Sequence, residues 1–325
     1  MRFTNAQNLP APLFNAIADD RHGYDVPIDY SVTQLLKPVQ MQILQALYDD
    51  EIVEDAMDGL WRTFGKVMHV VLEDHAPEDW HTEVRCTAQF QDRKIGGTID
   101  AVELSPDQDT AVLHDWKITS AWSVVFGGGS RDDWVAQLNL YRWLYEQETE
   151  RHVTGLKLQI ILRDWQRNEA RRNADYPRQP FLTLEVPMWS NHEVERFLEA
   201  RLQCLTIAEA EVHAVLSGNL QRDPRAGLPQ CTAEECWAKP DTWAVKKQGR
   251  KSAVRVLASR DDALAYAQDQ DMLEPGSAPP MFRSPFFLEH RKGLSVRCKD
   301  YCPARAFCLQ RQAEIDDQAL DQPAE

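Results

Sequence analysis

Two kinds of segment are missing from this sequence. It has no run of about eighteen apolar residues, the length that a membrane-spanning helix needs. Its first residues, MRFTNAQNLPAPLFNAIADD, carry neither the basic start nor the apolar middle of a signal peptide. We therefore expect a cytoplasmic protein without a membrane partner.

Positive charge is also scarce. The chain has 36 lysines and arginines against 51 aspartates and glutamates, a net charge of −15. This balance excludes a protein that coats nucleic acid non-specifically, but it leaves room for a local basic groove. Two short basic clusters are candidate DNA contacts, although solvated loops explain them equally well: Arg163, Arg167, Arg171, Arg172 and Arg178, and then Lys246, Lys247, Arg250 and Lys251.

A disulfide framework is a third absence. Seven cysteines are an odd number, and a chain of 325 residues without a secretory signal does not need disulfides to stabilise it. This pattern favours metal or cluster ligation for the clustered cysteines. Cys86 and Cys204 fall within strand and helix patterns, so we expect both in the hydrophobic core.

Hydrophobic periodicity predicts the order helix, three strands, helix, strand in the first two thirds of the chain. The ranges are a helix over 52–75, strands over 81–90, 94–104 and 110–119, a helix over 132–150 and a strand over 155–165. A break at Pro38 divides an earlier helical segment, and a long helix ends at Gly218. Beyond residue 219, a hairpin that turns at Gln248-Gly249 and a helix over 260–270 precede a cysteine-rich end.

Two aspartates and a lysine interrupt the second and third predicted strands. Asp100 and Asp115 lie on neighbouring strands, which run about 5 Å apart, so their carboxylates can meet at one end of the sheet. Two adjacent anions need a cation, and hard oxygen ligands favour Mg²⁺ or Mn²⁺. Lys117 lies two residues after Asp115 and therefore on the same strand face. A cross-strand ion pair between Asp100 and Lys117 is the alternative explanation.

Further polar residues accompany this set. Gly65 and His69 share one face of the helix before the strands, and Gln137 and Tyr141 share one face of the helix after them. In this order, GKVMH, GGTID, HDWK and QLNLY resemble the motifs of the PD-(D/E)XK nuclease superfamily. The similarity is to its RecB-type branch, which includes CRISPR-adaptation nucleases and phage recombination exonucleases. It spans residues 69–141 strictly and most of the chain more loosely.

The resemblance implies a role for each motif residue. The catalytic residues would be Asp100, Asp115, Lys117, Gln137 and Tyr141. The ligands of Mg²⁺ or Mn²⁺ would be His69, Asp100, Asp115 and, on the first strand, Glu83, with the carbonyl of Trp116 as a further candidate. Lys117 would serve the attacking water and the phosphate. Gln137 and Tyr141 would position the lysine, the water or the DNA backbone.

The clustered cysteines carry a second part of the resemblance. Cys298, Cys302 and Cys308 stand close together, and Cys231 and Cys236 come some sixty residues earlier. This arrangement is similar to the staple of RecB-type nucleases, in which a 4Fe–4S cluster pins the C-terminal segment. The resemblance implies Cys231 as the fourth ligand, with Cys236 as the alternative. The first gap of the triplet is one residue longer than in the family, which leaves a structural Zn²⁺ site as a second explanation.

We therefore expect an α/β protein with a mixed sheet (α+β) and a PD-(D/E)XK core, carrying a small cysteine-stapled C-terminal subdomain. The predicted divisions are an N-terminal helical segment (1–50), the nuclease core (51–218), the cysteine-cluster subdomain with its basic hairpin (219–312) and a disordered acidic tail (313–325).

The resemblance implies a metal-dependent deoxyribonuclease, an exonuclease of DNA processing, recombination or repair in a bacterium or a phage-infected cell. Its partners would be DNA and a recombination or single-strand-binding protein. Two alternatives are a non-catalytic DNA- or protein-binding module on the same fold and a redox-sensing cluster protein.

Overall fold

The computed structural model describes residues 2–19, 27–126, 131–273 and 285–320. The chain forms two compact units, Met1–Leu228 and Pro229–Glu325. The division therefore falls later than the boundary at 218/219 that the sequence predicts, and the four-part division stays a prediction. No helix in these ranges is both long and apolar enough to cross a membrane.

The described part of the first unit contains short strands near its start and a set of longer ones. The strands are β1 (Arg2–Thr4), β2 (Tyr30–Ser31), β3 (Val53–Asp55), β4 (Trp80–Phe90), β5 (Arg93–Leu104), β6 (Thr110–Thr119), β7 (His152–Leu162) and β8 (Phe181–Glu185). The helices are α1 (Ala11–Ala18), α2 (Val32–Leu35), α3 (Val39–Leu47), α4 (Leu60–Asp74), α5 (Ala121–Phe126), α6 (Asp132–Thr149), α7 (Arg167–Arg172) and α8 (Asn191–Leu216).

A six-stranded mixed sheet forms the centre of the first unit. Along one side of β5, β4 pairs antiparallel. On its other side, the start of β5 pairs in parallel with β2, and its end pairs antiparallel with β6, from Ala101↔His114 to Leu104↔Ala111. β6 then pairs in parallel with β7, which pairs antiparallel with β8. The mixed α/β core that the sequence predicts is confirmed.

Apolar side chains on α6 and on the central strands form the core beneath this sheet. Leu138 and Leu144 of α6 are fully buried, as are Ile99 of β5 and Leu158 of β7. Neighbouring residues alternate along a strand, so one set of side chains fills the core while the next set is free for other uses. The strands can therefore carry polar groups at one end without losing their apolar contacts.

Several predicted elements match the structure closely, and others do not. β4, β5, β6 and α6 agree within a residue or two with the predicted ranges. The helix predicted from residue 52 begins only at Leu60, because Val53–Asp55 pairs in parallel with Arg2–Thr4 and a 3₁₀ turn follows. The edge strand β8 was not predicted, since its five residues are too short to show a clear period.

The described part of the second unit contains a three-stranded sheet, a separate two-stranded sheet and two α-helices. Its described elements are β9 (Ala238–Lys239), β10 (Thr242–Lys247), β11 (Arg255–Leu257), α9 (Arg260–Leu273), β12 (Phe286–Arg291), β13 (Leu294–Ser295) and α10 (Leu309–Leu320). The hairpin that turns at Gln248-Gly249 is confirmed, since β10 and β11 pair antiparallel. Val245, Ala263 and Phe286 form its buried core.

One expectation about the C-terminus is wrong. The sequence predicts disorder from residue 313, but α10 continues through Leu320. An ion pair between Arg311 and Glu314 and a hydrogen bond from Gln312 to Asp316 support this helix at one-turn spacing. Residues 321–325 of the predicted tail lie outside the described ranges.

Candidate active site

The site lies where β6 leaves β5. The ladder between the two strands ends at Ala101↔His114, so the next opposed residues are Asp100 and Asp115. There the Trp116 backbone N–H donates to Asp100 Oδ2 at 2.7 Å. A side chain thus satisfies a backbone group that the ladder no longer reaches. The divergence of two strands brings both aspartates to one end of the sheet.

Three potential metal ligands lie close together where β5 and β6 diverge. His69 on α4 has its Nδ1 3.6 Å from Asp100 Oδ1 and 3.8 Å from Glu83 Oε1. Among the residues that the structure describes, these three form a group whose ligand atoms all lie within 4.8 Å of one another. Glu83 has a φ of 47° and does not pair with β5, although the register is the same on either side of it, at Thr82↔Ala101 and Val84↔Ile99. A left-handed glutamate is unusual, and here the irregularity turns its carboxylate towards the histidine.

Asp115 is the most deeply buried acid of the site, with only 1% of its surface exposed. Its Oδ2 lies 2.6 Å from Lys117 Nζ in an ion pair. Neither carboxylate oxygen has a well-oriented hydrogen bond to any residue in the described ranges. Burying a carboxylate with so few donors is costly, so the arrangement leaves coordination capacity for a cation.

The lysine is held from α6. Its Nζ donates to Gln137 Oε1 at 2.9 Å, and Gln137 Nε2 donates to Tyr141 Oη at 3.0 Å. Gln137 therefore contacts the lysine, one of the three partners suggested for the Gln and Tyr pair, and a role towards the water or the DNA backbone stays a prediction. The Tyr141 ring packs against the backbone of Gly97, where a Cβ would stand 2.7 Å from the ring.

The charges of the site perturb one another. Burial, and after it the Asp115 carboxylate, raises the pKa of Asp100 to about 7. The Glu83 carboxylate beside His69 raises the pKa of the imidazole against the opposing effect of burial. The site therefore holds more negative charge than its own lysine and histidine balance near neutral pH.

The donor set fits a divalent metal ion. Carboxylate oxygens suit Mg²⁺ and Mn²⁺, and an imidazole nitrogen is a donor that transition metals accept more readily than Mg²⁺ does. His69, Glu83 and Asp100 already converge, and the buried Asp115 has an oxygen without a hydrogen-bond partner among the described residues. These residues would hold the metal, and a cation there would offset the burial and the Asp115 charge that raise the pKa of Asp100.

Comparison with known proteins gives this geometry a family. The family model of the PD-(D/E)XK nuclease superfamily matches residues 29–309, which is most of the chain. The chain belongs to the PD-(D/E)XK nuclease superfamily. The match covers every residue of the site described above. No curated protein matches the sequence at a significant level.

Two solved structures of low identity are similar to this superfamily member. The crystal structure of SSO0001 is 18% identical, covers 59% of this chain and 83% of its own, and has a TM-score of 0.40. A "Putative exonuclease" from Eubacterium rectale is 12% identical, covers 62% of this chain and 71% of its own, and has a TM-score of 0.26. At such scores neither structure adds to the family assignment.

The predicted basic contacts differ in their surroundings. Arg171 and Arg172 are exposed at the end of α7 in the first unit. In the second unit, Lys246 forms an ion pair with Glu289, and Lys247 lies over the ring of Phe286. Arg250 and Lys251 are exposed in the hairpin turn. Contact with DNA stays a prediction for all of them, and Lys246 would have to exchange its carboxylate for a phosphate.

The C-terminal cysteines of this superfamily member lie near one another, although no three of their sulfurs in the described ranges stand within 4.8 Å of one another. Cys231 interacts electrostatically with Cys298, Cys302 and Cys308, and Cys236 hydrogen-bonds to Cys298. Burial raises the pKa of Cys231 and Cys298 to about 12. Buried neutral thiols need a metal to become thiolate ligands, and the sulfur set suits zinc or an iron–sulfur cluster.

The remaining cysteines behave differently from each other. Cys86 is buried in β4 as expected, whereas Cys204 is exposed on α8. The expectation that Cys204 lies in the core is wrong, because the residue falls between the buried positions Leu202 and Leu205 on the solvent side of the helix.

Sequence reasoning missed two features of the site. It did not assign Gly97 a function, although the double glycine in GGTID is a visible signal for close packing. It also gave Trp61 no role, although Trp61 lies on the helix of His69 and contacts Arg163.

Proposed function

We propose that this chain is an active Mg²⁺- or Mn²⁺-dependent deoxyribonuclease that degrades DNA from its ends. The observation that carries the proposal is the buried Asp115, whose carboxylate touches Lys117 beside the convergent His69, Glu83 and Asp100. A protein that used this fold only for binding would gain nothing from crowding acids around a lysine. Intact motif residues therefore favour catalysis over the binding module.

The chain's own residues have separable tasks in this reaction. When bound, a divalent ion at such a site acidifies water and polarises a phosphoryl oxygen. Lys117, held by Gln137, offers its ammonium to the phosphate and offsets the charge that develops on it. Tyr141 fixes Gln137 in turn. The buried Asp115 keeps the ammonium oriented and desolvated, which strengthens its electrostatic effect.

DNA as the substrate and attack at ends are supported by the motif resemblance to RecB-type exonucleases. The net charge of −15 fits a protein that holds nucleic acid only in a confined basic site. A recombination or single-strand-binding protein as partner, and residence in the cytoplasm of a bacterium or phage-infected cell, belong to the same proposal. They follow from the resemblance alone.

The deciding experiment incubates end-labelled linear DNA and closed circular DNA with Mg²⁺, Mn²⁺ or EDTA. Loss of linear DNA with either metal, absent in EDTA, is expected for the wild type and not for Asp115→Asn. Glu103→Gln is the matched control, because Glu103 lies on the same strand as Asp100 and contacts His114 instead. Cleavage of the circle would contradict attack at ends, and DNA binding without any cleavage would favour the binding module.

The cysteines support a second, structural metal. Cys298, Cys302 and Cys308 with Cys231 would hold a 4Fe–4S cluster, with Cys236 as the alternative fourth ligand and zinc as the alternative metal. Visible absorbance and metal analysis of anaerobically purified protein decide between iron and zinc. Cys231→Ser and Cys236→Ser decide the fourth ligand, since only one should lower the metal content.

A further inference from the structure

Three residues of α4 stand one above another on a single face of the helix. Trp61, Gly65 and His69 are spaced by four residues, which places them at successive turns. Two turns rise about 12 Å, so Trp61 lies that far along the helix from the histidine of the metal group. One end of this line is the candidate active site, and the other end is an aromatic ring.

The aromatic end of the line is open to solvent. Trp61 is 56% exposed, on a helix that has no buried residue and also exposes Phe64. The Arg163 guanidinium lies over its ring, 4.5 Å from the ring centroid, and Phe64 meets it edge to face. An exposed indole with an arginine against it is a surface on which nucleobases stack.

The middle position of the line has no side chain, because residue 65 is a glycine. A Cβ built on Gly65 would meet nothing within 4 Å, so no neighbour in the described chain requires a glycine there. Glycine inside a helix costs about 1 kcal/mol relative to alanine. The position therefore gives up helix stability and leaves a smooth surface between the ring and the metal group.

The charge around the aromatic end has the sign that a phosphate backbone requires. The Arg163 backbone N–H donates to the Thr119 carbonyl at 3.0 Å, two residues beyond Lys117 on β6. Arg167, Arg171 and Arg172 follow on α7, all exposed. Arg163 interacts electrostatically with its neighbour Asp164, whereas Arg167, Arg171 and Arg172 form no ion pair within the part of the chain that the structure describes. In a chain with a net charge of −15, this edge is a local basic surface.

We propose that this face of α4 is a track for single-stranded DNA, in which a base stacks on Trp61, Arg163 contacts the backbone, and the strand passes Gly65 to reach the metal group. The inference rests on the proposed nuclease function and specifies its substrate as an unpaired strand. A duplex end does not offer an unstacked base to the indole, so it binds the track only after fraying.

The test measures binding in Ca²⁺, which takes carboxylate oxygens as ligands but does not reproduce the tight octahedral geometry of Mg²⁺. It compares three short ligands: an oligothymidylate, an abasic oligomer with the same number of phosphates, and a blunt duplex. Trp61→Ala should weaken the oligothymidylate about tenfold and leave the abasic oligomer within twofold. Trp61→Phe should retain most of the affinity, and Arg163→Ala should weaken both single strands. Ile207→Ala is the matched control, because Ile207 is also 56% exposed.

A second variant keeps the proposal falsifiable if Trp61→Ala folds poorly. Gly65→Leu places a side chain in the open middle of the line, where a Cβ would meet nothing within 4 Å. It should leave the melting temperature unchanged or higher and weaken the oligothymidylate by about tenfold. In cleavage assays, both variants should raise KM for single-stranded DNA and leave kcat within about threefold.

Three results would overturn the track. The first is that Trp61→Ala binds the oligothymidylate with wild-type affinity. The second is that Trp61→Ala loses equal affinity for the oligothymidylate and the abasic oligomer. The third is that Trp61→Ala changes only the self-association of the protein. If Trp61→Ala binds and cleaves like the wild type while Asp115→Asn does not cleave, the track fails and the nuclease stands. If Trp61-dependent stacking is found in a protein that never cleaves, the nuclease fails and the track stands.

Discussion

The candidate active site and the cysteine cluster solve the same problem in different settings. Each gathers ligands that are unstable together without a cation, carboxylates in one and buried thiols in the other. The first set stands on a six-stranded sheet with a continuous apolar core. The second belongs to a unit whose described hydrophobic cluster is small, with Val245, Ala263 and Phe286 as its buried members.

The difference in setting predicts a difference in what a metal does. A unit with a large hydrophobic core folds without a metal ion, so a metal at the active site is available for catalysis. A small core does not stabilise itself, so a metal at the cysteines is expected to contribute folding free energy directly. Variants at the two sites test whether one metal serves catalysis and the other serves folding.

The largest effect is expected from Lys117→Met. The substitution removes the counter-charge of the buried Asp115, so the free energy of unfolding in EDTA should fall by about 3 kcal/mol. The ammonium that faces the phosphate is also lost, so cleavage should fall at least about a thousandfold. Adding Asp115→Asn to it should restore the stability but not the activity. Urea unfolding and single-turnover cleavage measure the two quantities.

Lys157→Met is the control for that experiment. Lys157 lies on β7 of the same sheet and stands 4.0 Å from Glu103, at the limit of an ion pair. Its loss should leave cleavage within about twofold. Equal stability losses in the two lysine variants would show that the active-site pair is an ordinary structural ion pair.

The next effect is expected from Cys302→Ser. Loss of one thiolate should release the metal and unfold the second unit, so a protease should cut between the units while the first unit resists. Cys204→Ser is the control, because Cys204 is exposed on α8. Metal content, proteolysis and calorimetry provide the readouts. A fully folded, metal-free Cys302→Ser protein would remove the contrast between the two regions.

A smaller effect of opposite sign is expected from Asp100→Asn in EDTA. Burial and Asp115 raise the pKa of Asp100 from 3.8 to about 7 in the folded state. The folded state therefore binds its proton more tightly than the unfolded chain, and the wild type loses stability as pH rises from about 4 through 7. Asparagine does not titrate, so the variant should be more stable above pH 7, by at most about 4 kcal/mol.

The pH profile of that difference is the sharper test. Below about pH 4 the two proteins should have equal stability, because Asp100 is protonated in both states. Saturating Mn²⁺ should reverse the order at pH 8, since only the wild type retains the ligand. A difference that is constant across pH would assign the effect to packing instead of charge.

The sequence was sufficient for the central elements and for the set of motif residues that the structure brings together, whose roles stay predictions. β4, β5 and β6 alternate polar and apolar residues, and α6 carries a long apolar periodicity. Asp115 and Lys117 share a face by strand geometry alone, and their ion pair follows from it. The motif order supplied the rest.

The features that the sequence did not predict depend on tertiary contacts, which leave no pattern in the local sequence. The short β3 forms only because β1 lies beside it, and Glu83 turns towards His69 only through an irregular, left-handed residue. Pairing between distant short segments is decided by the whole fold. The open space at Gly65 and the crowding at Gly97 are likewise invisible in the sequence, although both glycines belong to recognised motifs.

Those two glycines give the smallest and most specific prediction. Gly97→Ala places a methyl group 2.7 Å from the Tyr141 ring, so it should lower the free energy of unfolding by about 1 to 3 kcal/mol. Because Tyr141 holds Gln137 and Gln137 holds Lys117, its cleavage rate should fall more than its stability suggests. Gly65→Ala meets nothing and gains helix propensity, so it should raise stability by about 0.5 to 1 kcal/mol. Thermal unfolding of both variants in EDTA measures the pair, and a destabilised Gly65→Ala would mean that the helix face is already occupied within the folded chain.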